Sequence, residues 1–362
     1  MDICLQTEQK LITIDCETIR TLGMNIHDSI FNMMIVPFYA MTIRSLEDYW
    51  QIKLLDPESD KKIYDLRNSI KIFQDRFGRI KVCFLAADET SDTLFRNMLK
   101  FDFLKRLNIH NNIGIYVTKD GKIVGNTQWI GSYIKLNKEN ILEIEKKSFD
   151  ISYKMGVAIR SACDKIDLSV PLKSVKLGSV PEIDYIDFNT NRPSKIFRGS
   201  WSKEVHLAFL HLLSLVNFEK YILESVLPED NEWLFRIKYI VIHYALSGIE
   251  KIFRHCNPDN KMEKKESEKF QKILIDKWTI SSSVLRGCMM HYQLKDKNQQ
   301  FIIKEDEFND KLPFNGLIES LFEGMSFDAY NYVLSKKRDE IEDFLQEKFF
   351  IDIKRIKEFD TE

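Results

Sequence analysis

The segment after Pro228 most constrains what this chain can fold into. Trp233, Leu234, Ile237, Val241, Tyr244, Ala245, Gly248, Ile249 and Ile252 recur there at helical spacing, behind Asp230 and Asn231, either of which can cap the first turn. A long helix with one apolar stripe must lay that stripe against other elements. The neighbouring sequence supplies more helices. "WSKEVHLAFLHLLSLVNFEKYILESV" precedes Pro228, and "FQKILIDKW", "SSSVLRGCMMHYQLK" and "PFNGLIESLFEG" follow, the last stopped by Gly324. In the final helix Tyr330, Val333, Leu334, Ile341, Phe344 and Leu345 share a face. Several helices with one apolar stripe each predict a bundle from Trp201 onward.

The first half reads differently. "IKVCFLAAD" (80–88) is a short apolar run of β-formers that predicts a buried strand, followed by a helix capped at Thr90, Ser91 or Asp92. "NIGIYVTKDGKIVGNTQWI" (112–130) predicts a hairpin turning at Lys119-Asp120-Gly121. A helix is expected near 138–165, and the polar stretch 180–200, broken by Pro193 and Gly199, predicts a linker. The expected class is α+β: a mixed N-terminal α/β domain over 1–186, a linker at 187–200 and a helical bundle over 201–362.

Apolar runs such as 30–41 fall short of the ~20 residues of a membrane span. No basic segment precedes an apolar one at the N-terminus, so neither membrane insertion nor secretion is expected. The six cysteines are scattered without a CxxC pair, which fits reduced thiols in a cytoplasm and no zinc site. A net charge of −2 gives no global field for nucleic acid, so any such binding needs a local patch or an assembled groove.

Three places carry an arginine followed by four to six residues and a histidine: Arg20/His27, Arg236/His243 and Arg286/His291. Chance supplies roughly one such pair in a chain of this composition, so context has to separate them. Arg20 and His27 flank Gly23 in a stretch that reads as irregular. Arg286 and His291 lie just inside a helix that Ser281, Ser282 or Ser283 can cap. Their spacing turns the two side chains about 140° apart, placing them to flank a cleft rather than share one face. On the preceding long helix, Arg236, His243, Ser247 and Glu250 form a polar stripe beside the apolar face.

Over residues 230–350 the chain resembles the HEPN superfamily, helical bundles that include many metal-independent ribonucleases. The resemblance rests on "YALSGIEKIF", a charged connection, "LRGCMMHYQL" and the later "GLIESLFEGMS…YNYVLSKKRDEIEDFL". Family members carry Arg-x4–6-His, usually with a polar residue after the arginine, where this chain has Gly287. The resemblance implies RNA as substrate and no cofactor. His291 would be general base on a ribose 2′-hydroxyl and Arg286 would hold the scissile phosphate. It also implies a homodimer through the helical half, with Glu250 orienting Arg286, and His243, Arg236 and Tyr292 in support. The N-terminal half is then a sensing or targeting module under an unnamed regulator. In microbes the superfamily serves toxin–antitoxin and anti-phage defence systems, so such a role is expected. The competing expectation is a non-catalytic module that dimerises or binds RNA or protein. Asp88, Glu89 and Asp92 read as helix-capping rather than metal-binding, His206 and His211 as partly buried polar residues, and Cys288 as packing.

Overall fold

The computed structural model describes residues 3–98, 110–128, 144–165, 175–192, 196–259, 261–275, 277–280, 282–294, 302–303 and 313–351. Twelve helices and three strands are labelled among them. They are α1 (Ile3–Asn25), α2 (Ser29–Trp50), α3 (Pro57–Lys71), α4 (Phe77–Met98), β1 (Ile113–Thr118), β2 (Ile123–Asn126), α5 (Ile144–Lys165) and β3 (Ile183–Phe188). Then follow α6 (Lys203–Asn217), α7 (Glu232–Cys256), α8 (Lys264–Leu274), α9 (Lys277–Ile280), α10 (Ser283–His291), α11 (Pro313–Leu321) and α12 (Phe327–Gln346). The protein is thus mainly helical, with one small antiparallel sheet of order β2-β1-β3.

The predicted α7 is present and nearly every apolar position of its stripe is buried. Asn231 caps it by accepting from the Leu234 N–H at 2.9 Å. The hairpin also forms, and Gly121 takes a positive φ of 75° at its turn, where a side chain would be strained. The described part of the helix expected near 138–165 is α5; residues 138–143 lie outside the described set.

Several expectations are corrected. Residues 80–88 are helical, inside α4. Phe77, Ile80, Phe84, Asp88, Ser91, Asp92 and Leu94 point inward while Val82, Cys83 and Ala86 are exposed, a three-to-four-residue period that a short window of β-formers conceals. Asp88 and Asp92 therefore cap nothing. Asp88 accepts hydrogen bonds from Gln128 (2.7 Å), Thr190 (2.8 Å) and Asn112 (3.3 Å), and Asp92 meets His110 at 3.0 Å, so this network pins α4 to the sheet. The stretch 180–200 contains β3, paired with β1 from Ile113↔Phe188 to Thr118↔Ile183. Its alternation of Ile186 and Phe188 with Asp187 is a strand period, and the boundary expected at 186/187 runs through it. Residues 196–198 then pair with the chain after α12, through Phe350 N–H to Ile196 O (2.7 Å) and Arg198 N–H to Lys348 O (2.8 Å). Arg20 lies in regular helix α1, and Val333 faces outward from α12.

α2 is buried along most of its length because it is apolar on all sides, despite Pro37 in its middle. It packs on α3, α5 and α10, so buried residues of both halves form one continuous core. Specific bonds cross it. The Trp233 indole donates to Thr42 Oγ1 (3.1 Å), Asn231 to Thr18 Oγ1 (3.0 Å) and Ser45 to Met290 O (2.5 Å). No described helix is long and apolar enough to cross a membrane.

At the centre of this seam, fully buried Arg236 of α7 is ion-paired with Asp15 of α1. Asp15 also accepts from the Tyr292 hydroxyl at 2.5 Å, and the Arg236 guanidinium lies 4.1 Å from the Tyr292 ring centroid. Burial pushes Asp15 up to about 6, with Arg236 and Tyr292 opposing. Removing one partner of a buried pair strands the other charge. Arg236→Met is therefore expected to lower unfolding free energy in urea by about 3–5 kcal/mol, and Arg236→Met with Asp15→Asn by clearly less.

One turn earlier, Glu232 accepts from the Phe314 N–H at 3.1 Å, and burial pushes its carboxyl up to about 8. The folded chain thus keeps this proton where the unfolded chain has lost it. The resulting stability is full below the ordinary carboxylate value and is lost as pH rises through about 8. Glu232→Gln keeps the acceptor and removes the titration. Its unfolding free energy is expected to fall less steeply than the wild type's from about pH 5 to 8, by up to ~1.4 kcal/mol per pH unit.

Candidate active site

The short helix α10 exists because Ser282 caps it and Leu285, Cys288 and Met289 bury one face. The Ser282 hydroxyl accepts from Val284 N–H (3.2 Å) and Leu285 N–H (3.4 Å). Arg286 projects from the opposite, exposed face. His291 is the last helical residue and is half-buried. Tyr292 then turns the chain through a left-handed φ of 53°, which delivers its phenol to Asp15 and fixes where His291 sits. Gly287 leaves room for Gln293, whose side-chain oxygen would stand 3.2 Å from a Cβ at that position.

Around α10 the protein collects cations. Arg67 and Lys71 of α3 and Arg286 have neither an ion pair nor a side-chain hydrogen bond among the described residues. All three are close enough to act on one another or on the histidines. Burial lowers Lys71, and Arg67 and Arg286 lower it further, opposed by Asp48 and Asp75. Burial likewise lowers His291 below the ordinary imidazole value, helped by Arg67 and Lys71, opposed by Asp48, and helped again by Arg286. His243 of α7 is pushed down to about 4 by burial and by Arg286, Lys277 and Lys251. Its Nε2 lies 3.3 Å from the Gln74 amide. Both histidines are therefore neutral near pH 7, beside charges that suit an anion.

The residues singled out in the sequence separate into two groups. Arg286, His291 and His243 converge electrostatically. Arg236 and Tyr292 form the buried brace behind them, not the site itself. Glu250 is held by Lys277 and Arg254 (2.6 Å) rather than by Arg286, because α9 brings Lys277 directly over it. His206 and His211 are buried on α6, the former stacked on Phe197 at 4.6 Å, the latter pushed down to about 3 by burial. Cys288 is buried and donates to Gln293 O at 2.8 Å. Arg67, Lys71 and Asp48 were missed. Arg67 and Lys71 lie four apart on one polar face of α3, a signal that any solvated helix face also gives.

A cavity of about 430 Å³ opens beside His291, lined by Glu8, Asp48, Tyr49, Tyr292, Gln293 and Leu294 as well. Among the described residues no cluster of three His, Cys, Asp or Glu side chains stands ready for a metal. No protein-family model, curated protein or solved structure matches this chain.

The field of the α3 cations on His291 is measurable. In Arg67→Ala/Lys71→Ala the His291 imidazole is expected to titrate at higher pH than in the wild type, followed by NMR of its ring protons. An unmoved titration would detach α3 from the site.

Proposed function

We propose that the protein is a metal-independent ribonuclease of the HEPN type, with Arg286 and His291 as its catalytic pair. The observation that carries this reading is a half-buried histidine of lowered basicity beside three cations that make no salt bridge among the described residues, with Asp48 and Asp75 acting on Lys71 only from a distance. Leaving such charges together is unfavourable unless an anion joins them. A phosphodiester is an anion whose hydrolysis also needs a base.

In this mechanism His291 takes the proton from a ribose 2′-hydroxyl. The 2′-oxygen bonds to phosphorus, and the bond from phosphorus to the 5′-oxygen of the next nucleotide breaks. The leaving oxygen takes a proton from solvent, so the products are a 2′,3′-cyclic phosphate and a 5′-hydroxyl. Arg286 holds the phosphate oxygens as charge builds on them, and Arg67 and Lys71 add to that field. His243, held at low basicity, adds no positive charge of its own at neutral pH and instead borders the cluster as a neutral hydrogen-bonding group. Pairing of two copies through the helical half, implied by the family resemblance, would place two such clusters together. A part in microbial stress or anti-phage defence follows from the same resemblance.

The test is cleavage of RNA by purified protein in EDTA. His291→Ala and Arg286→Ala are each expected to lose at least ~100-fold in rate. The wild-type rate is expected to rise with pH through a value below the ordinary histidine range and to level off by neutrality, since His291 must be unprotonated. Inactivity of the wild type on diverse RNAs, with intact circular dichroism, would favour a non-catalytic binding module.

A further inference from the structure

We propose that the cavity beside His291 selects guanine, so that cleavage falls on the 3′ side of guanosines. This rests on the ribonuclease reading above and adds a substrate preference to it.

The cavity's 430 Å³ lies within the range of small-ligand sites. Its walls carry the carboxylates of Glu8 and Asp48, unlike the neighbouring cation cluster. Asp48, at the end of α2, is exposed, and its carboxylate makes no salt bridge or hydrogen bond among the described residues, though it acts from a distance on Arg44. It nevertheless acts on both His291 and Lys71, so it borders the catalytic field. Two aromatic rings line the space and meet edge to face, their centroids 6.0 Å apart. Tyr292 is fully buried, with its face under the Arg236 guanidinium. Tyr49 is half-buried at the wall, and its hydroxyl donates to Glu8 Oε2 at 2.8 Å, which fixes the ring's orientation. Such a ring is a stacking platform for a base.

The carboxylate decides which base. Two oxygens side by side accept best from two adjacent N–H donors. Guanine offers that pair at N1 and its 2-amino group. Adenine and cytosine place an unprotonated ring nitrogen beside their amino group, and uracil flanks its one N–H with two carbonyls. Each of those sets a lone pair against a carboxylate oxygen, a mismatch that costs affinity in a partly desolvated cavity. The geometry also orders the substrate. The nucleoside whose 2′-hydroxyl meets His291 is the one whose base enters the cavity, while its 3′-phosphate lies toward Arg286.

Equilibrium binding of 3′-GMP, 3′-AMP, 3′-CMP and 3′-UMP to the full chain tests this by calorimetry. 3′-GMP is expected to bind at least ~10-fold more tightly than the others. Asp48→Asn and Asp48→Ala should abolish that margin, whereas Arg286→Ala should weaken all four alike. Equal affinities in the wild type, or a margin that survives both Asp48 variants, would overturn the proposal. Sequencing the 3′ ends of cleaved RNA separates it from the nuclease reading. Cleavage without a guanosine preference removes the pocket and keeps the enzyme. A guanine margin abolished at Asp48 without any cleavage keeps the pocket and removes the enzyme.

Discussion

Arg236 is the residue on which the arrangement depends. A guanidinium taken wholly out of water is costly, and the chain offsets that cost with the Asp15 carboxylate and the face of Tyr292. Those three residues come from α1, α7 and the turn ending α10, so one satisfied charge fixes three elements at once. The Nε and Nη2 atoms of Arg236 have no hydrogen-bond partner among the described residues, which makes the site intolerant of losing the contacts it does have. His291 immediately precedes Tyr292, so the brace also sets the position of the candidate base. A second buried ionic group does comparable work elsewhere. Arg338 of α12 is bonded to Glu219 (2.9 Å) in the wide π-type turn after α6 and to Glu224 (2.6 Å) just beyond that turn. Both groups hold helices in register, yet only the first borders a cavity beside unpaired cations.

The electrostatics around α10 are local. A chain with a net charge of −2 has no field to attract nucleic acid as a whole. Many cations on the described surface are neutralised at close range, as Lys220 is by Asp339 and Glu342 at 2.7 Å each. Arg67, Lys71 and Arg286 make no such pair and lie close enough to act together, adding to burial in lowering Lys71 and His291. Asp48 works against them from the cavity side. His291 therefore lies between a positive surface and a carboxylate, an asymmetry suited to a nucleotide with its phosphate on one side and its base on the other.

What the sequence disclosed followed from range. α7 and its Asn231 cap were legible because the apolar stripe repeats over many turns and the cap lies next to it. The hairpin was legible because Gly121 marks its turn. α4 was misread because a nine-residue window of β-formers looks the same in either state, and the decisive evidence was polar: Asp88, Ser91 and Asp92 are buried where a stripe should continue. β3 was passed over because its period of two is brief and charged. The position of Arg236 on a polar stripe of α7 was correct as periodicity, but only a distant aspartate, Asp15, allows that stripe to be buried. Arg67, Lys71 and Asp48 were out of reach for the same reason. Each is unremarkable on its own helix and acquires meaning from packing across more than two hundred residues of chain.

The brace and the site also constrain each other through pH. Acid groups raised by burial, Asp15 to about 6 and Glu232 to about 8, make the folded state relatively more stable as pH falls. In the proposed reaction His291 imposes the opposite demand, because a base is available only above its own lowered value. The two requirements overlap near neutrality, where His291 has lost its proton and Glu232 still holds one. Below that window the core is secure and the base is occupied. Above it the base is free, but a second carboxylate ionises one helical turn from Asp15's partner, against a burial cost that Arg236 and Lys10 only partly offset. The cations at the surface widen this window by lowering His291, so charges placed where a phosphate would sit also let the base act while the core beneath it stays neutral at Glu232.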